Sequence, residues 1–465
     1  VSRYRQDVRL KPDTTNRQSE YRLDAARPVL AAICGLLVLA AGTAAQSRGQ
    51  TAIDRAFERF FAATDAKAAA EATSAIVASG VGVREAVDRL AAGRRFGPEA
   101  PGTTTVRVTA SDGTTIENLI TIPAGYQPAE RWPVRVQLHG GVSRPPPGPG
   151  EAPRALTPNR IEGEAAIYVQ PRGHGRAEWW HLNQFENMIA VLDRVKRTYN
   201  VDENLVYLTG ISDGATGAYF YAMKMPTPFS AFLPLNGNMR VLASPGTRAN
   251  GQLYAGNLVN KPLFIVNGGR DPLYPVAAVA PHIEMLRDAG TRLEFRPQPE
   301  AGHDTSWWPV ERAHFERFVR ANPRTPHPEA LSWETERTDR YNRVHWLVID
   351  QVARRPGDDP SLADVNRFQA DGLDQRLFAR TWPSGRVDAR RSGNAFEARS
   401  RGVGAFSLLL APAVVDFARP VIVRVNGKEV FNALVSEDLR TLLKWAALDS
   451  DRTLLYTAEL PIRVP

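Results

Sequence analysis

The 465-residue sequence contains one cysteine, Cys34. That scarcity excludes an internal disulfide, a thiolate metal site and, beyond the N-terminal segment, a cysteine nucleophile. Long apolar stretches are scarce too. Pro28 to Ala41 is the one of note, and it is too short to span a bilayer comfortably. It follows Arg22 and Arg27 and precedes the small residues Thr43 and Ala45, the order expected of an export signal that holds Cys34 within it. The expectation is an exported protein, periplasmic or extracellular, with no stable membrane span after signal cleavage. An uncleaved N-terminal anchor is the other reading. The net charge of +8 is arginine-rich scatter without a lysine-arginine block interleaved with aromatics. Nucleic acid is therefore a poor partner, whereas acidic polymers or envelope lipids suit such a surface. None of the histidines shows metal-ligand spacing with a carboxylate or a second histidine, so neither a metal nor another cofactor is expected. No internal repeat stands out.

Periodicity divides the rest. Ala52, Ala56, Phe57, Phe60 and Phe61, then Val83, Ala86, Val87 and Leu90, have helical spacing and predict two or three helices packed on the domain C-terminal to them. From Thr103 the period becomes two, and a hairpin is expected around Ser111-Asp-Gly113. Apolar runs near 134–138, 165–170, 205–209, 229–235, 263–266 and 292–296 alternate with helical patterns over 185–199, 213–224 and 279–289, the last kinked or started by Pro281. That alternation predicts an α/β fold with a doubly wound sheet. Pro309 opens a further helix to Ala321, and Asn322 to Pro328 reads as a linker. Beyond it, strand patterns at 331–335, 343–349, 395–398, 405–410 and 421–425, a tight turn at Asn426-Gly427 into 428–431, and a charged loop over 354–374 suggest an all-β, sandwich-like accessory domain. The expected division is 1–45 extension and signal, 46–102 helical segment, 103–325 catalytic domain and 326–465 accessory domain, which either binds a polymer or roofs the site.

The chemistry centres on Gly210-Ile-Ser-Asp-Gly214, between a buried-strand pattern and a small-residue helix. A G-x-S-x-G sequence there is a nucleophile elbow, whose glycines make room for a sharply turned serine, and Ser212 is the expected nucleophile. Acyl transfer also needs N–H groups aimed at a developing oxyanion. His139-Gly140-Gly141, at the end of another strand, offers Gly140 or Gly141 as one donor, and Asp213 offers the second. His139 itself is read as a loop brace. Asp271, on a glycine-marked loop, suits the role of orienting acid, and His303, after the last strand, that of general base. Asp304 reads as a helix-start residue. Trp179, Trp180, Tyr274, Trp307 and Trp308 leave strand ends near these loops and either form an aromatic wall for substrate or serve as core and helix anchors.

With Ser212, Asp271 and His303 in that chain order, the sequence resembles the α/β-hydrolases. Its nearest likeness is to exported polyhydroxybutyrate-depolymerase-like and feruloyl-esterase-like enzymes and to prolyl-oligopeptidase-type peptidases, over roughly residues 103–321. Ala215 stands where many relatives carry a second glycine, and Asp213 is an unusual neighbour for the nucleophile. Its carboxylate is expected to disfavour anionic substrates or to shift the base. The resemblance implies an exported serine hydrolase that cleaves carboxylic esters through an acyl-enzyme. A peptidase with the same machinery is the alternative, and a non-catalytic polymer-binding protein is the reading from another class. The substrate would be a small or polymeric ester, or else a peptide. Its acyl and alcohol parts, and the oligomeric state, are not legible.

Overall fold

The computed structural model describes residues 49–145, 161–353, 362 and 364–465. The expected signal, Cys34 and most of the proline-rich stretch after Arg144 lie outside the described residues. Among those described, no helix is long and apolar enough to cross a membrane. Three helices come first: α1 (49–62), α2 (Ala66–Ala78) and α3 (Val83–Ala92). Asp65 caps α2 by accepting the Ala68 N–H at 2.8 Å.

Eight strands then form one sheet: β1 (Gly102–Thr109), β2 (Thr115–Ile122), β3 (Trp132–Leu138), β4 (Ile167–Pro171), β5 (Val201–Ile211), β6 (Phe232–Leu235), β7 (Leu263–Gly268) and β8 (Leu293–Gln298). Their spatial order is β1-β2-β4-β3-β5-β6-β7-β8. The β1–β2 hairpin is antiparallel, β2 joins β4 antiparallel, and every later neighbour is parallel. Side-chain alternation sends Val206, Leu208, Leu263 and Ile265 to one face, with α4 (Leu182–Thr198), α5 (Asp213–Lys224) and α6 (Val276–Asp288). Tyr207, Phe264 and Val266 point to the other face, where α7 (Trp308–Ala321) packs through Phe315, Phe318 and Val319. The doubly wound α/β reading is thus met. Strand β5 begins earlier than its apolar run suggests, and α6 starts ahead of Pro281 and holds that proline within it.

The C-terminal part is β-rich: β9 (Ala330–Thr335), β10 (Arg343–Val344), β11 (Leu347–Val352), β12 (Arg367–Ala370), β13 (Leu373–Arg376), β14 (Gly385–Ser392), β15 (Ala395–Arg401), β16 (Val403–Leu410), β17 (Val421–Val425), β18 (Lys428–Ala433), then helix α8 (Leu439–Asp449) and β19 (Ala458–Arg463). A four-stranded sheet, β10-β11-β16-β19, and a five-stranded one, β18-β17-β15-β14-β9, share one apolar core that includes Trp333 and Phe396 from one and Leu347, Phe406 and Ile462 from the other.

Three sequence expectations need correction. The run 343–349 is not one strand, because His345 adopts φ +47° and turns the chain between β10 and β11. The stretch read as a charged loop contains β12, which pairs with β13 and buries Phe368 in the core of the first sheet. The region is also not all-β, since α8 belongs to it and supplies the surface on which α2 and α3 pack.

Residues 56–465 form one compact unit, so the boundaries expected at 102/103 and 325/326 both fall inside it. Buried polar links cross the second boundary. Arg324 pairs with Asp451 at 2.8 Å with both side chains fully buried, and Lys224 meets Glu336 at 3.1 Å. The Arg197 guanidinium donates to Ala447 O at 3.0 Å, and the Asn257 amide to Glu334 O at 2.9 Å.

Histidines desolvated by burial, His327 and His345 as well as His282, make stability depend on pH. His282, on α6, is 1 % exposed against Phe368, and burial lowers its pKa from the ordinary histidine value of 6.5 to about 4. Between those values the unfolded chain binds the proton and the folded chain does not, so stability rises with pH there and is lost on acidification. We expect this group alone to cost on the order of 3 kcal/mol as pH falls from about 6.5 to 4. Thermal unfolding followed across that window checks it; a flat midpoint would contradict the assignment.

Candidate active site

Strands β3 and β5 are neighbours, with Leu138 paired to Gly210, so both chains leave the C-terminal edge of the sheet side by side. After β5 the backbone turns sharply: Ser212 has φ +57° and ψ −120°, and α5 begins at the next residue. A non-glycine residue in that region is strained, and it persists only where its surroundings enforce it. Gly210 and Gly214 permit the turn, since a Cβ on Gly210 would run into the backbone of Gly214, and one on Gly214 into the Leu138 carbonyl.

His303 follows β8, and Asp271 follows β7. The His303 Nδ1–H donates to Asp271 Oδ2 at 2.7 Å, because a carboxylate can only accept. That tautomer leaves Nε2 free to accept from the Ser212 hydroxyl at 3.0 Å. Asp271 is 2 % exposed, and its other oxygen accepts the N–H groups of Leu273 at 2.8 Å and Tyr274 at 3.0 Å. Two asparagines that sequence reasoning missed hold these loops. Asn267 donates to Gly237 O and Tyr274 O, both at 3.1 Å. Asn236, at φ +51°, donates to Asp304 O at 2.5 Å. Asn236-Gly237 at the end of β6 is a turn signal visible in the sequence, but its partners lie far along the chain. Asp304 accepts the Ser306 N–H at 2.8 Å in the turn ahead of α7 and makes no link to His303 in the way Asp271 does.

On the other side of Ser212, Gly140 comes so near that a Cβ there would lie 2.8 Å from the Ser212 Cβ. Gly141 adopts φ +68°. The His139 ring braces this loop: Nδ1–H donates to Gly140 O at 2.8 Å, and Nε2 accepts the Gly173 N–H at 2.9 Å. Burial holds its pKa below the ordinary histidine value, which keeps it neutral in that role. The Asp213 carboxylate accepts the Val142 N–H at 2.9 Å.

The five aromatic candidates do not form a common wall. Trp179 is fully buried, donates its indole N–H to His139 O at 3.0 Å and packs on Gly217, so it supports the loop from within the core. Trp307 is buried with α7, and Trp308 donates to Glu162 O at 3.0 Å and stacks edge-on with Phe315. Both anchor that helix to the sheet. Tyr274 alone meets the site, its ring edge-on to His303 at 5.7 Å. Trp180 lines a separate polar cleft of about 600 Å³ together with His181, Arg248 and Tyr341.

No protein-family model matches the chain. The chain is 24% identical over 181 residues to a bifunctional acetylxylan esterase/xylanase of Neocallimastix patriciarum, a match covering 36% of this chain and 25% of that protein. The chain thus spans about a quarter of the length of that curated relative. Among solved structures, it is similar to esterase 2 of Thermogutta terrifontis (17% identity, 49% of this chain and 97% of that one, TM-score 0.38). It is also similar to a ferulic acid esterase (16% identity, 48% and 99%, TM-score 0.36) and to the acylaminoacyl peptidase of Pyrococcus horikoshii (15% identity, 50% and 43%, TM-score 0.36). The mixed sheet, with its sharp strand-to-helix turn after β5, has the arrangement of the α/β-hydrolase fold.

Proposed function

We propose that the chain is an exported serine hydrolase that cleaves carboxylic esters through an acyl-enzyme. The observation that carries this reading is the unbroken hydrogen-bonded series from Ser212 through His303 to buried Asp271. Ser212 Oγ attacks the ester carbonyl carbon while its proton passes to His303 Nε2. Asp271 holds the tautomer and stabilises the imidazolium. The tetrahedral oxyanion lies toward the N–H groups of Asp213 and of Gly140 or Gly141. As the intermediate collapses, His303 returns the proton to the departing alcohol, and water then releases the acid by the same steps reversed. The curated relative's ester-cleaving name favours esters over peptides, and short acyl groups on a carbohydrate are the first substrates to try.

The test pairs a fluorophosphonate probe with matched ester and anilide substrates bearing the same acyl group. Labelling at Ser212 and faster ester turnover are expected. Faster anilide turnover would make it a peptidase, and folded protein that neither labels nor turns over would leave a binding protein.

The acid is tested separately. Asp271→Asn keeps the shape but favours the wrong His303 tautomer, and kcat should fall by about 10⁴. A loss below tenfold would mean that another group orients the base.

A further inference from the structure

From sequence, the residue after the nucleophile contributes only its N–H, and its carboxylate hinders anionic substrates or perturbs the base. In the folded protein that side chain is engaged elsewhere. Asp213 Oδ2 accepts the Val142 N–H at 2.9 Å, across 71 residues of sequence. Val142 is the residue immediately after Gly141, so this bond fixes the far end of the glycine loop directly to the elbow.

Other restraints act at both ends of the loop: beyond the glycines, Val142 is fully buried in the core and Arg144 O accepts the Gly175 N–H at 2.8 Å. His139 is held by the Gly173 N–H, by its own ring bond to Gly140 O, and by the Trp179 indole on its carbonyl. Between those anchors and Val142 lie two glycines, the second at φ +68°. Glycine peptides rotate at little steric cost, so the Val142 N–H bond to Asp213 is the hydrogen bond that sets the peptide next to Gly141. Among the described residues, neither the Gly141 N–H nor the Asp213 N–H has a protein acceptor. Both are therefore available to a ligand. A carboxylate in the first turn of α5 is also favourably placed against the positive end of that helix.

We propose that Asp213 is a positioning residue for the oxyanion hole: its main chain supplies one donor, and its carboxylate, through Val142, sets the orientation of the second. The inference rests on the acyl-transfer chemistry proposed for Ser212. A donor that is mis-set rather than deleted should cost less than the 10²–10³ in kcat seen when one is removed.

The experiment compares Asp213→Asn, Asp213→Ala and Asp213→Ser with the full-length wild type on p-nitrophenyl acetate, with thermal unfolding as the control. Every variant keeps the residue 213 N–H. Alanine has no acceptor, and serine is too short to reach Val142, so either should lower kcat by about 10- to 100-fold with KM within about threefold. Either should also weaken a trifluoromethyl ketone, whose adduct carries the oxyanion, by a similar factor. Asparagine retains a carbonyl oxygen at the same reach and should recover most of the loss. If alanine does not fold, serine carries the comparison.

Two results overturn the proposal: kcat within twofold of wild type in a folded alanine or serine variant, or asparagine falling as far as alanine, which would implicate the charge and not the brace. Failure of the acyl-transfer chemistry itself looks different. The wild type would then turn over no ester or anilide and take no fluorophosphonate label.

Discussion

Ser212→Ala is expected to lower kcat by about 10⁶ while leaving the protein folded. The size follows from the way such groups act as a unit: without the hydroxyl, His303 has no proton to accept and Asp271 no imidazolium to stabilise, and deletion of the serine costs about as much as deletion of all three partners. What remains is binding and oxyanion stabilisation, worth about 10³–10⁴ over the uncatalysed reaction. Stability should change little. The Ser212 side chain makes no capping bond to α5, and its bond to His303 is partly open to water. The net worth of such a bond is about 1 kcal/mol, a shift of a few degrees at most in a protein of this size. Steady-state rates with saturating ester, together with a melting curve, decide the matter. Retention of more than one per cent of kcat would remove Ser212 from the chemistry.

Ending the chain after Pro328 is expected to abolish folding, not to release an active catalytic domain. Truncation removes Asp451 and leaves the Arg324 guanidinium, fully buried, without its carboxylate. It also removes Glu336 from Lys224, an ammonium set among Tyr254 and Tyr341. Stranding one member of a buried pair costs about 3–5 kcal/mol, and two such losses approach the whole 5–15 kcal/mol stability of a typical domain. Apolar surface is lost as well. Phe368, Leu377 and Phe378 belong to the same core cluster as β3, β5 and α6, so their removal opens that core to water. Soluble yield, circular dichroism and hydrolysis of a small ester give the readout. A truncated protein that unfolds cooperatively near the wild-type midpoint and still cleaves the ester would show that residues 329–465 are a dispensable module.

The candidate site was legible where its residue types are written in neighbouring positions. Gly210 to Gly214 announces a turn because only glycine tolerates the crowding there, and Asp271 and His303 follow apolar runs that can be little else than buried strands. Asp213 shows the limit: its residue type was plain, but its partner Val142 is set by the pairing of β3 with β5. The tryptophans fail for a similar reason. A large aromatic at a strand end suits either a pocket or a core, and Gly217 beneath Trp179 settles the question only once α5 is packed. In the C-terminal part, β14 was hidden because its outward positions are arginines and an aspartate around Val387 and Ala389. Helix α8 had a readable signal in Asp438, which caps it by accepting the Arg440 and Thr441 N–H groups, but the surrounding strands drew the expectation of an all-β region.

The Arg324–Asp451 pair has a consequence for how the protein is made. Its two halves are separated by 127 residues. At a synthesis rate of about 5–20 residues per second, roughly 6–25 seconds pass between the emergence of the arginine and that of the aspartate. Throughout that interval the nascent chain carries an uncompensated charge at a position destined for the interior, and closing so long a loop is itself slow. Ser212, Asp271 and His303 are all translated before that pair can close.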